Sequence, residues 1–183
     1  MRHLVDRAFR IALSGRRVTV LILPNDLPDI EYEHTRMQAR HRAFRRRLFT
    51  TDHIVPAQGD LQRAANVLNA GHKVAILVGA GALDAIDEVI AVANRLGTGI
   101  TKALPGKAVL PDDLLWVMEL IGLPGTKPSY EVTNACDTLP TIGSGFPYPE
   151  FRPKEGNARG VQIDIKADML SLRYPMDSEP RRR

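Results

Sequence analysis

The chain has 183 residues, 44% of them hydrophobic, and a formal net charge of +4. This is enough apolar surface for one packed domain, and it excludes a disordered chain. Aromatic residues make up only 5%, so we expect a core of aliphatic side chains, as in a parallel sheet flanked by helices. The single cysteine, Cys136, excludes an internal disulfide and fits a reducing compartment. With no apolar run long enough to span a membrane and no signal peptide, we expect a cytoplasmic protein.

The first 24 residues predict one helix and one strand. Leu4, Ala8 and Ile11 share a helical face, and "VTVLIL" (18–23) is typical of a buried strand that ends before a proline. One helix and one strand cannot form a core. We therefore expect residues 1–24 to be the end of another domain.

Residues 25–57 predict a linker, because prolines interrupt them and they lack a sustained apolar face. The basic run "RMQARHRAFRRR" (36–47) has two interpretations. It is either a solvated part of the linker or a contact for nucleic acid. The single aromatic residue in the run, Phe44, makes nucleic acid the less favoured partner.

Helical and strand patterns alternate from residue 58 to residue 177. Helices are predicted in "GDLQRAANVLNAG", with Asp60 as N-cap and Gly71 as the stop, and in "ALDAIDEVIAVANRLG", "PDDLLWVMEL" and "PSYEVTNAC". Strands are predicted in "KVAILV", "GITKAL", "DTLPTIG" and "RGVQIDI". The fold class is therefore α/β, a Rossmann-like three-layer domain with a mainly parallel sheet of about six strands.

The loop "GAGALD" lies between a predicted strand and a predicted helix, where a phosphate loop would lie. Two features disfavour ordinary NAD binding. Asp84 replaces the third glycine, and the following strand has Lys102 but lacks the acid that would bind a ribose. A purely structural turn between strand and helix is the alternative.

Three further loops, "LPGK", "GLPGTK" and "GSGFPY", should reach the same edge of the sheet, with an acid at the end of the last strand. Backbone amides, hydroxyls and ammonium groups are what a diphosphate needs. The predicted cofactor-binding residues are Gly79, Ala80, Gly81, Lys107, Gly125, Thr126, Lys127, Gly143, Ser144, Phe146, Asp164 and Ile165. The sequence predicts no catalytic residue and no metal ligand, since its five histidines are scattered.

These segments resemble the central domain of thiamine-diphosphate-dependent enzymes, in the pyruvate oxidase or quinone-dependent pyruvate dehydrogenase branch. The resemblance covers residues 60–177. It is carried by "LNAGHKVAILVGAGAL", "KALPGKAVLPDD", "GLPGTKPS", "CDTLPTIGSGFPYPEFRP" and "ARGVQIDIKADMLSLRYPMD". The opening "AFRIALSGRRVTVLILPNDL" is similar to the end of the family's first, pyrimidine-binding domain.

The resemblance implies an enzyme of three domains. The first supplies an activating glutamate, and the third binds thiamine diphosphate through magnesium. The middle domain binds FAD in the oxidase branch and is a structural spacer in many decarboxylases. We expect a truncated flavoprotein-type central domain at 58–177 and a tail at 178–183. Alone it would be catalytically inactive, and its partners would be the missing catalytic domains or a second copy of the chain. The alternatives are a spacer that binds nothing and a basic nucleic-acid-binding protein.

One departure from the family pattern bears on the cofactor. The sequence reads "VMEL" before "GLPGTK", where the family usually has a threonine-glycine-glycine type of run. Glu119 and Leu120 would crowd or repel a diphosphate there. We therefore expect an FAD site that is weak or empty in this chain.

The absence of both the activating glutamate and the magnesium motif generates the first prediction. Calorimetric titration of the chain with thiamine diphosphate and magnesium should show no binding, because no groups are placed to hold the cofactor. Micromolar affinity would contradict this expectation.

Overall fold

A computed structural model describes residues 2–31 and 54–177. The chain divides into two compact units, Met1–His53 and Ile54–Arg183. The predicted basic run at 36–47 and the predicted tail at 178–183 lie outside the described residues, as does most of the predicted linker.

The first unit contains helix α1, Arg2–Gly15, and a short 3-10 turn, Leu27–Asp29. The strand predicted at 18–23 is wrong, because these residues form no β-ladder. Val18 is 90% exposed and Ile22 is 88% exposed. A strand needs the N–H and C=O groups of a neighbour, and no strand lies beside this segment in the described part of the chain.

The second unit is the α/β domain that the alternation predicts. Its elements are α2 (Gln58–Asn69), β1 (Ala75–Val78), α3 (Ile86–Leu96), β2 (Gly99–Lys102), β3 (Val117–Leu120), α4 (Lys127–Ala135), β4 (Thr138–Ile142) and β5 (Arg159–Ile163). The strand order is β3-β2-β1-β4-β5, and every pair is parallel. The Rossmann-like class is confirmed, with five strands in the described residues rather than about six.

The central strand β1 is buried on both faces of the sheet, as an apolar run in a parallel sheet should be. On one face Ile76 belongs to a cluster with Val89 of α3. On the other face Leu77 belongs to a cluster with Leu139, against which Val132 of α4 packs. The helices therefore cover both faces, and the domain has three layers.

Two predicted helix ends need correction. Helix α2 begins at Gln58 after Ala57, so Asp60 is not its N-cap but a buried residue of its first turn that pairs with Arg63. The C-cap of α2 is Ala70 rather than Gly71. The predicted end of α3 at Gly97 is confirmed.

The predicted helix at "PDDLLWVMEL" is wrong, because its last four residues form β3. Val117 pairs with Ile100, and Leu120 pairs with Lys102. Three steps along β3 thus match two steps along β2, and the extra residue makes a bulge. Pairing with the otherwise open edge of β2 overrides the helical spacing of the local sequence.

The bulge places Glu119 in the left-handed region, with a φ of 63°. This conformation suits glycine and is strained for a residue with a Cβ atom. The strain arises because this chain has Glu119 where the family pattern has a glycine-containing run.

Replacing Glu119 tests the strain directly. We expect Glu119→Gly to be more stable than Glu119→Ala by about 1 kcal/mol, because both remove the carboxylate but only glycine accepts the positive φ without cost. Urea unfolding of the two variants measures the difference. Equal stabilities would contradict a strained backbone at this position.

Candidate functional site

The candidate site lies at the carboxyl edge of the sheet, where the loops after β1, β2 and β4 meet. After β1 the chain makes a 3-10 turn, Ala80–Ala82, and after β2 it makes a similar turn, Leu104–Gly106. The Gly81 N–H donates to the carbonyl of Gly143, after β4, at 3.0 Å. The structure therefore brings together three of the four glycine-bearing loops, "GAGALD", "LPGK" and "GSGFPY".

The glycines at this junction are required by how closely the loops approach one another. A Cβ atom on Gly79 would lie 2.4 Å from the carbonyl oxygen of Gly143. One on Gly106 would lie 2.9 Å from the Cα atom of Gly79. Gly143 also has a φ of 58°, and a Cβ atom there would lie 2.4 Å from the carbonyl carbon of Gly81. We call Gly79, Gly81, Gly106 and Gly143 the glycine junction.

The same contacts engage the amides that were expected to cradle a diphosphate. The Gly79 N–H donates to the carbonyl of Ile142 at 2.9 Å, and the Gly143 N–H donates to that of Ile163 at 2.8 Å. With the Gly81 bond, three amides of the junction are satisfied within the protein. In this conformation they are not available to a phosphate oxygen.

Lys107 lies just beyond the junction and is half-exposed, but it is not a free cation. Its ammonium group pairs with the carboxylate of Asp112. This hydrogen bond raises the pKa of Lys107 above its usual value, and the charge of Glu119 adds to the rise. A ligand phosphate at Lys107 would have to compete with Asp112.

Asp112 also binds Lys102, which the sequence did not identify as a functional residue. The ammonium group of Lys102 is fully buried; it donates to the Leu110 carbonyl at 2.7 Å and pairs with Asp112. Hydrogen bonds first from Lys102 and then from Lys107 lower the pKa of Asp112. The three side chains hold the loop that carries Lys107. The signal for Lys102 was a lone charge in an apolar strand, and the acid at 112 was interpreted as the start of a helix.

The loop before α4 lies after β3, and its polar groups serve the helix. Thr126 is the N-cap: its hydroxyl accepts from the Ser129 N–H at 3.4 Å and donates to the Met118 carbonyl at 2.8 Å. The Gly125 N–H donates to Gly122 at 2.9 Å. Lys127 is 85% exposed and lies 3.6 Å from Glu131. Of the three predicted binding residues in this loop, Gly125 and Lys127 are exposed and Thr126 is partly buried.

The remaining predicted binding residues divide between the interior and the surface. Ser144 and Phe146 are buried, and the guanidinium of Arg152 lies over the Phe146 ring, 5.6 Å from its centroid. Asp164 follows β5 and accepts from the Lys166 N–H at 2.8 Å. Ile165, beside it, is exposed. Ser144 and Phe146 therefore belong to the packing under the edge, whereas Asp164 and Ile165 lie at its surface.

The exposure of these residues decides whether a dinucleotide could bind at this edge. The exposed or partly exposed members are Ala80, Gly81, Lys107, Gly125, Lys127, Asp164 and Ile165, whereas the hydroxyls of Thr126 and Ser144 and three junction amides are engaged or buried. Glu119 and Asp112 add negative charge beside Lys107. The residues do not form a ready-made site for the diphosphate of FAD.

Other chemistry is limited in the described part of the chain. Burial raises the pKa of the Cys136 thiol to about 11, so it is a packed thiol at neutral pH. Among the described residues no group of three His, Cys, Asp or Glu side chains could hold a metal ion. None of the helices in those residues has the length and apolar character needed to cross a membrane.

Because Lys102 is buried, removing either partner of the Lys102–Asp112 pair should cost a different amount of stability. Asp112→Asn should destabilise the domain more than Lys102→Met, because the first leaves a buried ammonium without its carboxylate, whereas the second leaves a half-exposed carboxylate with Lys107. We expect Lys102→Met to change stability by less than about 1 kcal/mol. Urea unfolding of both variants is the measurement.

The pH dependence checks the same network. The pKa of Asp112 is lowered in the folded state, so its stabilisation is present above its unfolded value of about 4 and is lost as pH falls through the lowered folded pKa. The stability difference between wild type and Asp112→Asn should therefore shrink on acidification below about pH 4. A difference that stays constant down to strong acid would contradict the ionic role.

Comparison with known proteins identifies the family of this chain. Residues 61–180 match the family described as thiamine pyrophosphate enzyme, central domain. Among curated proteins, YdaP of Bacillus subtilis, assigned as thiamine pyrophosphate-containing, is 30% identical over 94% of the chain and 29% of its own length. The pyruvate oxidase of Lactiplantibacillus plantarum is 24% identical over 96% of the chain and 28% of its own length.

A solved structure shows the same fold. It is an X-ray structure of a protein from Mycobacterium smegmatis assigned as a thiamin diphosphate-dependent enzyme, with a TM-score of 0.57 and 20% identity. It covers 73% of the chain, which spans 27% of that structure. The chain thus spans less than a third of the length of these relatives. Because the family match includes more than half of its residues, the chain belongs to the family of thiamine pyrophosphate enzyme central domains.

Proposed function

We propose that the chain acts as the central domain of a pyruvate-oxidase-like enzyme, in which thiamine diphosphate supplies the chemistry that cleaves the bond beside a 2-oxo acid's carbonyl. The likeness to a pyruvate oxidase along nearly the whole chain supports this choice. Catalytic groups would come from other domains of the enzyme, and a second copy of the chain is a further partner. The domain's own task is to order those neighbours and to present its carboxyl edge to them.

We further propose that FAD binding at this edge is weak. Alpha/beta domains bind nucleotides outside the carboxyl ends of their strands, and Ala80 and Lys107 lie exposed there. Asp164 and Ile165 would meet the ribose or adenine end. Against tight binding stand the engaged amides of the glycine junction and the carboxylates beside Lys107. The balance favours a site that fills only at high FAD concentration.

The alternative is a spacer domain that binds no nucleotide. One observation supports it: the junction amides are satisfied by protein carbonyls, so the edge is complete without a ligand. The two functions differ in one measurable quantity, the affinity of the chain for FAD. The nucleic-acid alternative depends on the basic run at 36–47, which lies outside the described residues.

Titration with FAD, followed by quenching of flavin fluorescence, tests the proposal. We expect binding only at high micromolar to millimolar concentrations, with Ala80→Asp weaker by about fivefold, because a carboxylate near the diphosphate costs about 1 kcal/mol. Ala80→Asn is the matched control of equal size. Position 80 is chosen because it is exposed, whereas a side chain at Gly81 would collide with Gly143.

The outcomes separate the two functions. No FAD binding at millimolar concentration would support the spacer. Equal binding by wild type and Ala80→Asp would place the flavin elsewhere and overturn the assignment of this edge.

A further inference from the structure

A small cavity lies under the face of the sheet that α4 covers. It has room for about one water-sized particle. Its lining comes from β1, β4 and β5 and from the segments around Phe146, Arg152 and Tyr174; the polar members are Thr141, Ser144, Arg152, Gln162, Arg173 and Tyr174. Two of the predicted binding residues, Ser144 and Phe146, line this cavity and are buried here rather than exposed at the carboxyl edge.

Arg152 gives the cavity an uncompensated positive charge. The residue is only 6% exposed. Its guanidinium donates to the carbonyl of Arg173 and lies over the Phe146 ring, but none of the ion pairs in the described residues includes it. Burial and the neighbouring charge of Arg173 lower the pKa of Arg152, yet a guanidinium stays protonated in proteins. Buried charges are normally paired.

Two hydroxyls in the cavity wall share this lack of partners. Thr141 and Ser144 are both buried, and neither side chain forms a hydrogen bond with another group in the described residues. Gln162, by contrast, is held by Met169 and Ser171, and the Tyr174 hydroxyl donates to Ala158. Arg173 is exposed, so the buried polar groups of the wall that lack a paired charge or a hydrogen bond are the Arg152 cation and two hydroxyls.

We propose that this cavity is a binding site for a small monovalent anion of about the size of chloride, held by the Arg152 guanidinium and the hydroxyls of Thr141 and Ser144. The anion would supply the missing negative charge and accept hydrogen bonds from all three groups. Because these residues come from β4, the loop after it and the segment before β5, the bound ion fastens that end of the domain together.

The buried charge favours an anion over a water molecule. Water could donate to the hydroxyl oxygens of Thr141 and Ser144, but it would leave the Arg152 charge unpaired, and the lining contains no carboxylate. An anion only accepts, and it also offsets the buried charge. Chloride is somewhat larger than water, and the flexible side chain of Met176 in the wall can give the extra space.

Salt-dependent stability of the full chain tests the site. At constant ionic strength, with gluconate replaced stepwise by chloride or bromide, a site with a dissociation constant near 10 mM lowers the unfolding equilibrium constant about tenfold at 100 mM halide. Arg152→Met should abolish this dependence, and Thr141→Val should weaken it. Arg95→Met, an exposed arginine on α3, is the matched control for the change in net charge and should retain the dependence.

A second measurement uses the wild-type chain alone and therefore does not depend on whether the variants fold. Crystals of the wild-type chain soaked in bromide should show an anomalous peak within hydrogen-bond distance of Arg152 and Ser144. A water molecule at that place in bromide, or identical halide dependence in wild type and Arg152→Met, would overturn the proposal.

Discussion

The close approach of three backbone segments at the glycine junction is the constraint on which the carboxyl edge depends. Gly79, Gly106 and Gly143 each stand where a Cβ atom would fall within 3 Å of a neighbouring loop. The loops after β1, β2 and β4 can therefore meet only as bare backbone. Their amides all donate to protein carbonyls, Gly79 to Ile142, Gly106 to Ala103 and Gly143 to Ile163. A motif typical of phosphate loops packs here against the other loops, and Ala80 stays exposed within it.

The charge network beside the junction fixes the loop that carries Lys107. Lys102 lies at the end of β2 with no access to solvent, so its charge must be met inside the protein. Asp112 meets it and at the same time holds Lys107. The carboxylate thus lies between two ammonium groups. This arrangement ties the loop to β2 through side chains of the domain itself.

The sequence predicted the parts of the fold that depend on local pattern. Alternating apolar runs and helical faces identified β1, α3 and α4, and Gly97 marked a helix end. The errors arose where residues far apart in the sequence determine the secondary structure or the partner of a side chain. β3 was predicted as a helix because its pairing with β2 leaves no mark in the local spacing, and the apolar run at 18–23 has no neighbouring strand among residues 2–31 and 54–177. Likewise, spacing cannot show that Lys102 reaches Asp112, or that the Thr126 hydroxyl caps α4 instead of facing a ligand.

Glu119 affects both the backbone of β3 and the charge at the carboxyl edge of the sheet. A glycine-type run at this point would permit both a relaxed bulge in β3 and close approach of a diphosphate. Glu119 keeps the bulge, at φ 63°, and brings a carboxylate near Lys107. The strand still pairs with β2, through the Ile100 N–H to Trp116 and the Ile121 N–H to Lys102, each at 2.9 Å, although one strained residue costs on the order of 1–2 kcal/mol. A single position can thus carry backbone strain and add negative charge at the edge while the fold persists.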